Sequence, residues 1–423
     1  MAHTALADSD AEPTNPLHSD LHQQSTRLPW LFSAPVDLAA FAGSALLSVA
    51  LLVLGAAMGW LDRSVPQWTW VTTILMIDVA HVYATGFRVY FDRQELKRRP
   101  GLYLLTPVFA FVIGWALYSE SPQWFWRCLA YMAVFHFVRQ QYGWVALYRA
   151  KANDRQRVGK WIDLSAIYLA TLYPLVYWHC HQPEQFAWFV EGDFVFLSLP
   201  LDRWLAPVYW FAMIAYVCRA SYRGLIGGLW NPGKDLVVAT TALCWYLGII
   251  TFDSDYAFTV TNVIIHGVPY MVLIYWYQVL GKSNETPQNS GAGSEEGSEQ
   301  SGPGPTRQDD QDNAPASTSA SPRSSGTAWQ ILIRFVAVVW VLAYFEELLW
   351  DRSLWHERAW LFGSAWQSNA GMQAVLVALL AVPQVTHYVL DGFIWKRRSS
   401  RQLRQLTRHS EEPSPRSTGR PAS

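Results

Sequence analysis

The sequence predicts an all-α fold, a polytopic transmembrane helical bundle of about ten spans with both termini cytoplasmic. Three observations lead there. The apolar residues are gathered into blocks of about 20, the length a helix needs to cross roughly 30 Å of hydrocarbon. Trp is abundant, at 23 residues, and pairs such as Trp68/Trp70 and Trp124/Trp126 fall at block ends, where amphipathic rings favour the headgroup region. Lys and Arg concentrate on alternate connections. The overall composition, 51% hydrophobic and 15% charged, also suits a large soluble protein, so it is the distribution that decides.

Taken in order, the expected spans are 37–60, 68–90, 101–118, 124–148, 161–178, 203–222, 235–250, 257–280, 329–350 and 370–395. The third and seventh are short for a crossing, and 186–200 reads as an interfacial or re-entrant segment rather than a plain loop. Basic residues follow the second span (Arg88, Arg93, Lys97, Arg98, Arg99), the fourth (Arg149, Lys151, Arg155, Arg157, Lys160), the sixth (Arg219, Arg223, Lys234) and the tenth (Lys396, Arg397, Arg398, Arg401, Arg404). The intervening connections are poor in Lys and Arg. An even number of spans with both termini inside satisfies every cluster, and a bacterial inner membrane is the expected location.

The expected organisation is a disordered tail over 1–36, a membrane domain of about eight helices over 37–280, a disordered linker over 281–327, two further helices over 328–396 and a basic, then Ser/Pro-rich, tail over 397–423. The polar start of the chain lacks the pattern of a cleaved signal peptide, so the first span is expected to direct insertion. Cys128, Cys180, Cys218 and Cys244 show no CxxC spacing, which argues against a zinc or disulfide framework. A net charge of −1 with no separate basic domain excludes a nucleic-acid partner, and the bilayer is the expected partner. No HExxH, P-loop or dinucleotide fingerprint is present. With no soluble catalytic domain left over, any chemistry must come from the helices.

Ionisable groups inside a bilayer cost about 2.5–3.5 kcal/mol each, so they need a reason. The second span carries Asp78, His81, Thr85 and Arg88 on one helical face, and the fourth carries His136, Arg139 and Gln140. The eighth carries Thr259, Asn262, His266 and Tyr270 beside Pro269; the tenth carries Gln384, His387 and Asp391 just after Pro383. In the even-span topology these four helices run in one direction. His81, His136 and His266 then lie near mid-depth and His387 somewhat toward the cytoplasm.

One imidazole from each of several packed helices is how bundles build metal sites, and a ligating histidine usually donates its other N–H to a carboxylate or amide. His81, His136, His266 and His387 are therefore the candidate metal ligands for iron, copper or zinc. Asp78 and Asp391 orient or complete the set, and Arg139 with Gln140 are the candidate catalytic residues that stabilise charge. Asp78, Gln140, Asn262 and Asp391 each stand one turn from a histidine. A lone membrane histidine is more often an interhelical hydrogen-bonding group; four with repeated acid or amide neighbours point to a site. Arg88 and Arg334 read as snorkelling residues, Glu346 and Glu347 as solvated near a helix end, and the His179–Cys180–His181 cluster as a weak metal signal.

The first functional expectation is a metal-dependent, non-haem iron oxidase or oxygenase acting on a lipid-soluble substrate. A proton-coupled transporter or ion pathway built from the same residues is the alternative. Haem b held by two facing histidines is a third.

Overall fold

The computed structural model describes residues 28–61, 66–182, 184–283, 325–396 and 400–407. These residues are all-helical, with no strands. The linker and most of both tails lie outside the described residues. Ten helices of 20 residues or more are present: α1 (Ala34–Met58), α2 (Gln67–Arg88), α3 (Pro100–Glu120), α4 (Pro122–Lys151), α5 (Arg157–Cys180), α6 (Leu201–Leu225), α7 (Pro232–Thr251), α8 (Asp255–Ser283), α9 (Ala328–Trp355) and α10 (Ala370–Ile394). Seven of them, all but α4, α5 and α6, are long and apolar enough to span a membrane, the architecture of an integral membrane protein. Helices α4 to α6 are as long but more polar; α4 alone holds Arg127, His136, Arg139, Gln140, Gln141 and Arg149.

Large apolar side chains cover the outside of the bundle, among them Leu46 (70% exposed), Phe135 (67%) and Phe211 (73%), on α1, α4 and α6. A soluble protein pays heavily for such a surface, whereas a bilayer solvates it. The helix starts are set locally. Pro122 follows the Ser121 cap of α4, and Asn369 Oδ1 accepts the Met372 amide at 2.8 Å at the start of α10. Helix α2 runs with wide, π-type turns over Trp70–Val79 before tightening at Ala80. Helix α10 breaks at Ala381, ahead of Pro383.

Helices α2, α8, α4 and α10 form a closed ring, each packed on the next and α10 returning to α2. They run in the same direction. On α2 and α8, Ile77 meets Gly267, Thr85 bonds Tyr270, and the Phe87 carbonyl accepts from Gln278, so partner numbers rise together. Trp126 at the start of α4 packs against Trp350 and Trp355 at the end of α9, so α9 runs the other way. Helix α1 packs on α8, α3 on α10, α9 on α2, and α5 to α7 build outward from α4. Gly267 permits the close crossing of α2 and α8: a Cβ there would sit 2.6 Å from Ile77 Cγ2.

Several expectations are corrected. Arg88 does not snorkel: it is 1% exposed, its Nη1 lies 3.0 Å from Glu95 Oε2, and its guanidinium lies 4.5 Å above the Tyr277 ring. The short helix Arg93–Arg98 folds Glu95 back under it, a tertiary contact that no spacing within α2 reveals. Glu346 and Glu347 are buried, not solvated, because α9 extends past them to Trp355 and the segment after it covers them. Within the expected tails, Leu31 is buried with its amide on Asp37 at 2.7 Å, and Leu403 and Leu406 of the helix Arg401–Leu406 enter the core around Trp144 and Tyr148. The 186–200 segment is non-helical where described, and tucks Phe186 and Phe194 against Trp178.

The basic residues around α4 to α7 do more than mark topology. Asp163, fully buried, is bonded by Arg149, by Arg219 at 3.2 Å and by Lys234 at 3.1 Å; Asp154 is bonded by Arg149, Arg219 and Arg223. Burial alone would raise the Asp154 carboxyl, but the Arg219 hydrogen bond and the Arg149 and Arg223 charges outweigh it and hold it below its ordinary value. A depressed native value stabilises the fold above the unfolded pKa and loses that contribution as pH falls through the native one. Thermal unfolding in detergent should therefore shift downward on acidification below about pH 4. Asp154→Asn should already be less stable at neutral pH and flatter in acid; an unchanged midpoint at pH 7 would contradict the network's role.

Candidate metal centre

Each member of the ring supplies one imidazole: His81 from α2, His266 from α8, His136 from α4 and His387 from α10. All four are at most 3% exposed. Around the ring the imidazole centroids are 4.8 Å (His81–His266), 5.1 Å (His266–His136), 4.5 Å (His136–His387) and 4.9 Å (His387–His81) apart, with His81–His136 across it at 6.5 Å. The four histidines converge, including His387, which sequence depth set nearer the cytoplasm.

The ring nitrogens are sorted by direction. His81 Nε2 faces His266 Nε2 at 3.2 Å, and His136 Nε2 faces His387 Nε2 at 3.1 Å. The other nitrogens point outward. His81 Nδ1 lies 3.6 Å from Asp78 Oδ1, His136 Nδ1 3.7 Å from Asp391 Oδ2, and His387 Nδ1 2.6 Å from the Thr85 hydroxyl. Asp391 also accepts from Tyr270 at 2.7 Å and from the Trp395 indole at 3.2 Å, and Tyr270 meets Thr85 at 2.8 Å. Carboxylates behind Nδ1 favour the tautomer whose Nε2 lone pair faces the middle.

Ligand atoms of His81, His136 and His266, and separately of His136, His387 and Asp391, lie within 4.8 Å of one another, so this buried His/Asp group could hold a metal ion. Two nitrogens each about 2.0–2.1 Å from one ion sit roughly 3.0 Å apart at a right angle and roughly 3.4 Å apart at the tetrahedral angle. The 3.1 and 3.2 Å separations fall in that interval. An N–H···N hydrogen bond within each pair gives the same distance. Four buried atoms around the ring have no hydrogen-bond partner, His81 Nδ1, His266 Nδ1, Gln140 Oε1 and Asn262 Oδ1, with Gln140 and Asn262 lining different cavities.

Other candidates take different places. Gln140 does not support its neighbour His136; its amide donates to the His266 carbonyl at 2.8 Å, next to the carbonyl of Ile265 that Pro269 deprives of a donor. Asn262 turns its amide to the Phe258 carbonyl rather than to His266, which stacks instead on Phe137 at 3.5 Å. Arg139 bonds the Tyr168 hydroxyl at 2.6 Å and lies over the Tyr142 ring, so it is not among the imidazoles. His179 bonds Tyr131 and Cys180 bonds the Leu199 carbonyl, so that loop cluster forms no common site.

Two cavities meet the centre from opposite ends. The first, about 340 Å³, lies toward the starts of the four helices and is lined by Asp78, Asp255, Asn262, Glu347, Glu357 and Gln384 among others. The second, about 350 Å³, lies toward their ends and is lined mainly by apolar side chains of α4, α8 and α10, with His136 and Asp391 in its wall. Tyr388 borders both, its ring 5.0 Å from His136. Sequence reading missed Tyr388, Glu346 and Glu347; an acid pair at the end of an apolar helix is the one signal that pointed to the latter two.

Comparison with protein-family models, with curated proteins and with solved structures finds no match. Fold and site thus define the class directly: a helical protein of membrane type with a buried histidine–carboxylate cluster that could hold a metal.

His136 belongs to both ligand groups, so His136→Ala should lower metal retention more than any other single histidine change. Asp391→Asn should weaken metal affinity by about 10–100-fold. Gly267→Leu, which removes no ligand, should also lower retention by pushing α2 from α8. Metal content of purified variants measures all three, and wild-type retention in His136→Ala would contradict the shared-ligand geometry.

Proposed function

We propose that this chain is a membrane metalloenzyme, an iron-dependent oxidase or oxygenase acting on a lipid-soluble substrate. The observation that carries the reading is the ring of four buried imidazoles from four parallel helices, with Nε2 atoms paired His81–His266 and His136–His387 and with carboxylate or hydroxyl groups behind three of the Nδ1 atoms. His81, His136 and His266 would hold the ion with His387 beside them, and His136 also belongs to a second candidate group with His387 and Asp391. Iron with such ligands supplies redox chemistry with dioxygen at open positions, which is why iron is favoured over zinc. The residues around it fix proton positions: Asp78 and Asp391 favour a proton on Nδ1 of His81 and His136, and Tyr270 ties Asp391 to Thr85. The apolar second cavity gives a substrate dissolved in the bilayer a way to His136.

The proposed setting is a bacterial plasma membrane, crossed ten times with both termini cytoplasmic. The common direction of α2, α4, α8 and α10 and the opposite direction of α9 support this alternation. Haem b is not favoured: the imidazoles contact one another edge to face around the ring, where a macrocycle would have to separate them.

One observation favours a second reading, a proton-coupled transporter or ion pathway: the acid-lined first cavity borders Asp78 directly. Metal analysis and proteoliposome uptake separate the two. The enzyme reading expects close to one iron per chain after expression in iron-replete medium, lost in His136→Ala, and no uptake driven by a proton gradient. Absence of bound iron, copper and zinc together with gradient-driven uptake would overturn it.

A further inference from the structure

The second cavity carries more than access. Its lining on α4 runs from Phe135 to Ala150, a length of about 22 Å, and on α10 from Tyr388 to Lys396, with Tyr270 and Leu273 of α8 behind. Most of that wall is hydrocarbon or aromatic. Gly143 on α4 and Gly392 on α10 both line it, and a Cβ on either would meet nothing within 4 Å. Two glycines on facing helices keep the slot wide where side chains would otherwise close it.

The wall holds one carboxylate and two cations, one of which, Lys396, stands over the Phe393 ring at 4.7 Å. Asp391 is the one carboxylate in the wall, and it already accepts from Tyr270 and Trp395 beside His136. Arg139 and Lys396 are the cations. The Arg139 guanidinium lies 4.9 Å from the centre of the Tyr142 ring, six residues beyond His136, and Lys396 stands five residues beyond Asp391. At helical rise Tyr142 stands roughly 9 Å beyond His136, and Lys396, two residues past the end of α10, roughly 7–8 Å beyond Asp391, so both charges lie on one side of the His136–Asp391 level, on opposite walls of the slot. Arg139 is exposed on the apolar side of α4, and among the described residues its hydrogen bond to Tyr168 uses one of five donors. A guanidinium at such a position needs an anionic partner more than a neutral one.

We infer that the slot binds a single-chain anionic amphiphile, a long-chain carboxylate, with its head between Arg139 and Lys396 and its chain along the Gly143–Gly392 wall. Carbons several bonds along the chain from the head, not those next to it, then lie at the level of His136 and Asp391. This names the substrate class and rests on the proposed metalloenzyme for what happens to the bound chain, but binding itself requires no metal. A volume of about 350 Å³ suits one chain, not the paired chains of a membrane phospholipid.

The test is equilibrium binding of radiolabelled oleate and oleyl alcohol to the full chain in zwitterionic nanodiscs, with metal-free and iron-loaded protein. Oleate should bind at least tenfold more tightly than the alcohol, and Arg139→Gln should bring the two together. Gly143→Phe and Gly392→Phe, which fill open space, should each abolish binding of both while retaining iron. The inference is overturned if oleate and oleyl alcohol bind equally to the unmodified chain, if both glycine variants bind oleate normally, or if a diacyl phosphatidylglycerol competes as well as oleate. Selective oleate binding by protein that takes up no iron would support the slot and overturn the metal reading.

Discussion

Burying four imidazoles together in an apolar bundle is the constraint around which the rest of the structure is arranged. Each imidazole forfeits hydration, and each nitrogen must find a partner or a metal. The protein meets this by closing α2, α8, α4 and α10 into a ring, by pairing Nε2 atoms His81–His266 and His136–His387 within it and by backing three Nδ1 atoms with Asp78, Asp391 and Thr85. Gly267 lets α2 and α8 approach closely enough for His81 to reach His266. The remaining helices pack around that ring and turn apolar side chains outward.

The site is asymmetric along the helix direction. An acid-lined cavity reaches Asp78 from one end, and a hydrocarbon-lined slot reaches His136 and Asp391 from the other, with Tyr388 between them. In the proposed metalloenzyme the two unlike approaches would serve a bilayer-soluble compound from one end and small polar species from the other. The Asp154–Asp163 network lies apart from both and braces α4, α5, α6 and α7 at the far end.

Much of this was legible in the sequence because membrane insertion imposes length and polarity rules that are local. Ten apolar blocks became ten helices, with boundaries shifted by a few residues, although only seven meet the hydropathy expected of a span. The spacing of Asp78, His81 and Thr85 brings His81 into the ring with Asp78 behind it and Thr85 on His387, and His387 with Asp391 keeps the same helical face. Long-range pairing was not legible. Arg88 looked like a snorkelling residue until Glu95 folded beneath it, and Gln140 stood one turn from His136 yet serves the His266 carbonyl. Glu346 and Glu347 looked solvated because the segment that covers them comes later in the chain.

X-ray absorption at the metal edge tests the central claim most directly, because it reports donor type and distance without relying on activity. In zinc-loaded protein the account predicts a first shell of nitrogen donors at about 2.0–2.1 Å with the outer-shell scattering of several imidazoles. That signal should shrink in His266→Ala and His387→Ala alike. A shell of oxygen donors alone, or of sulfur, or an imidazole contribution unchanged by both substitutions, would contradict convergence of the four histidines on one ion.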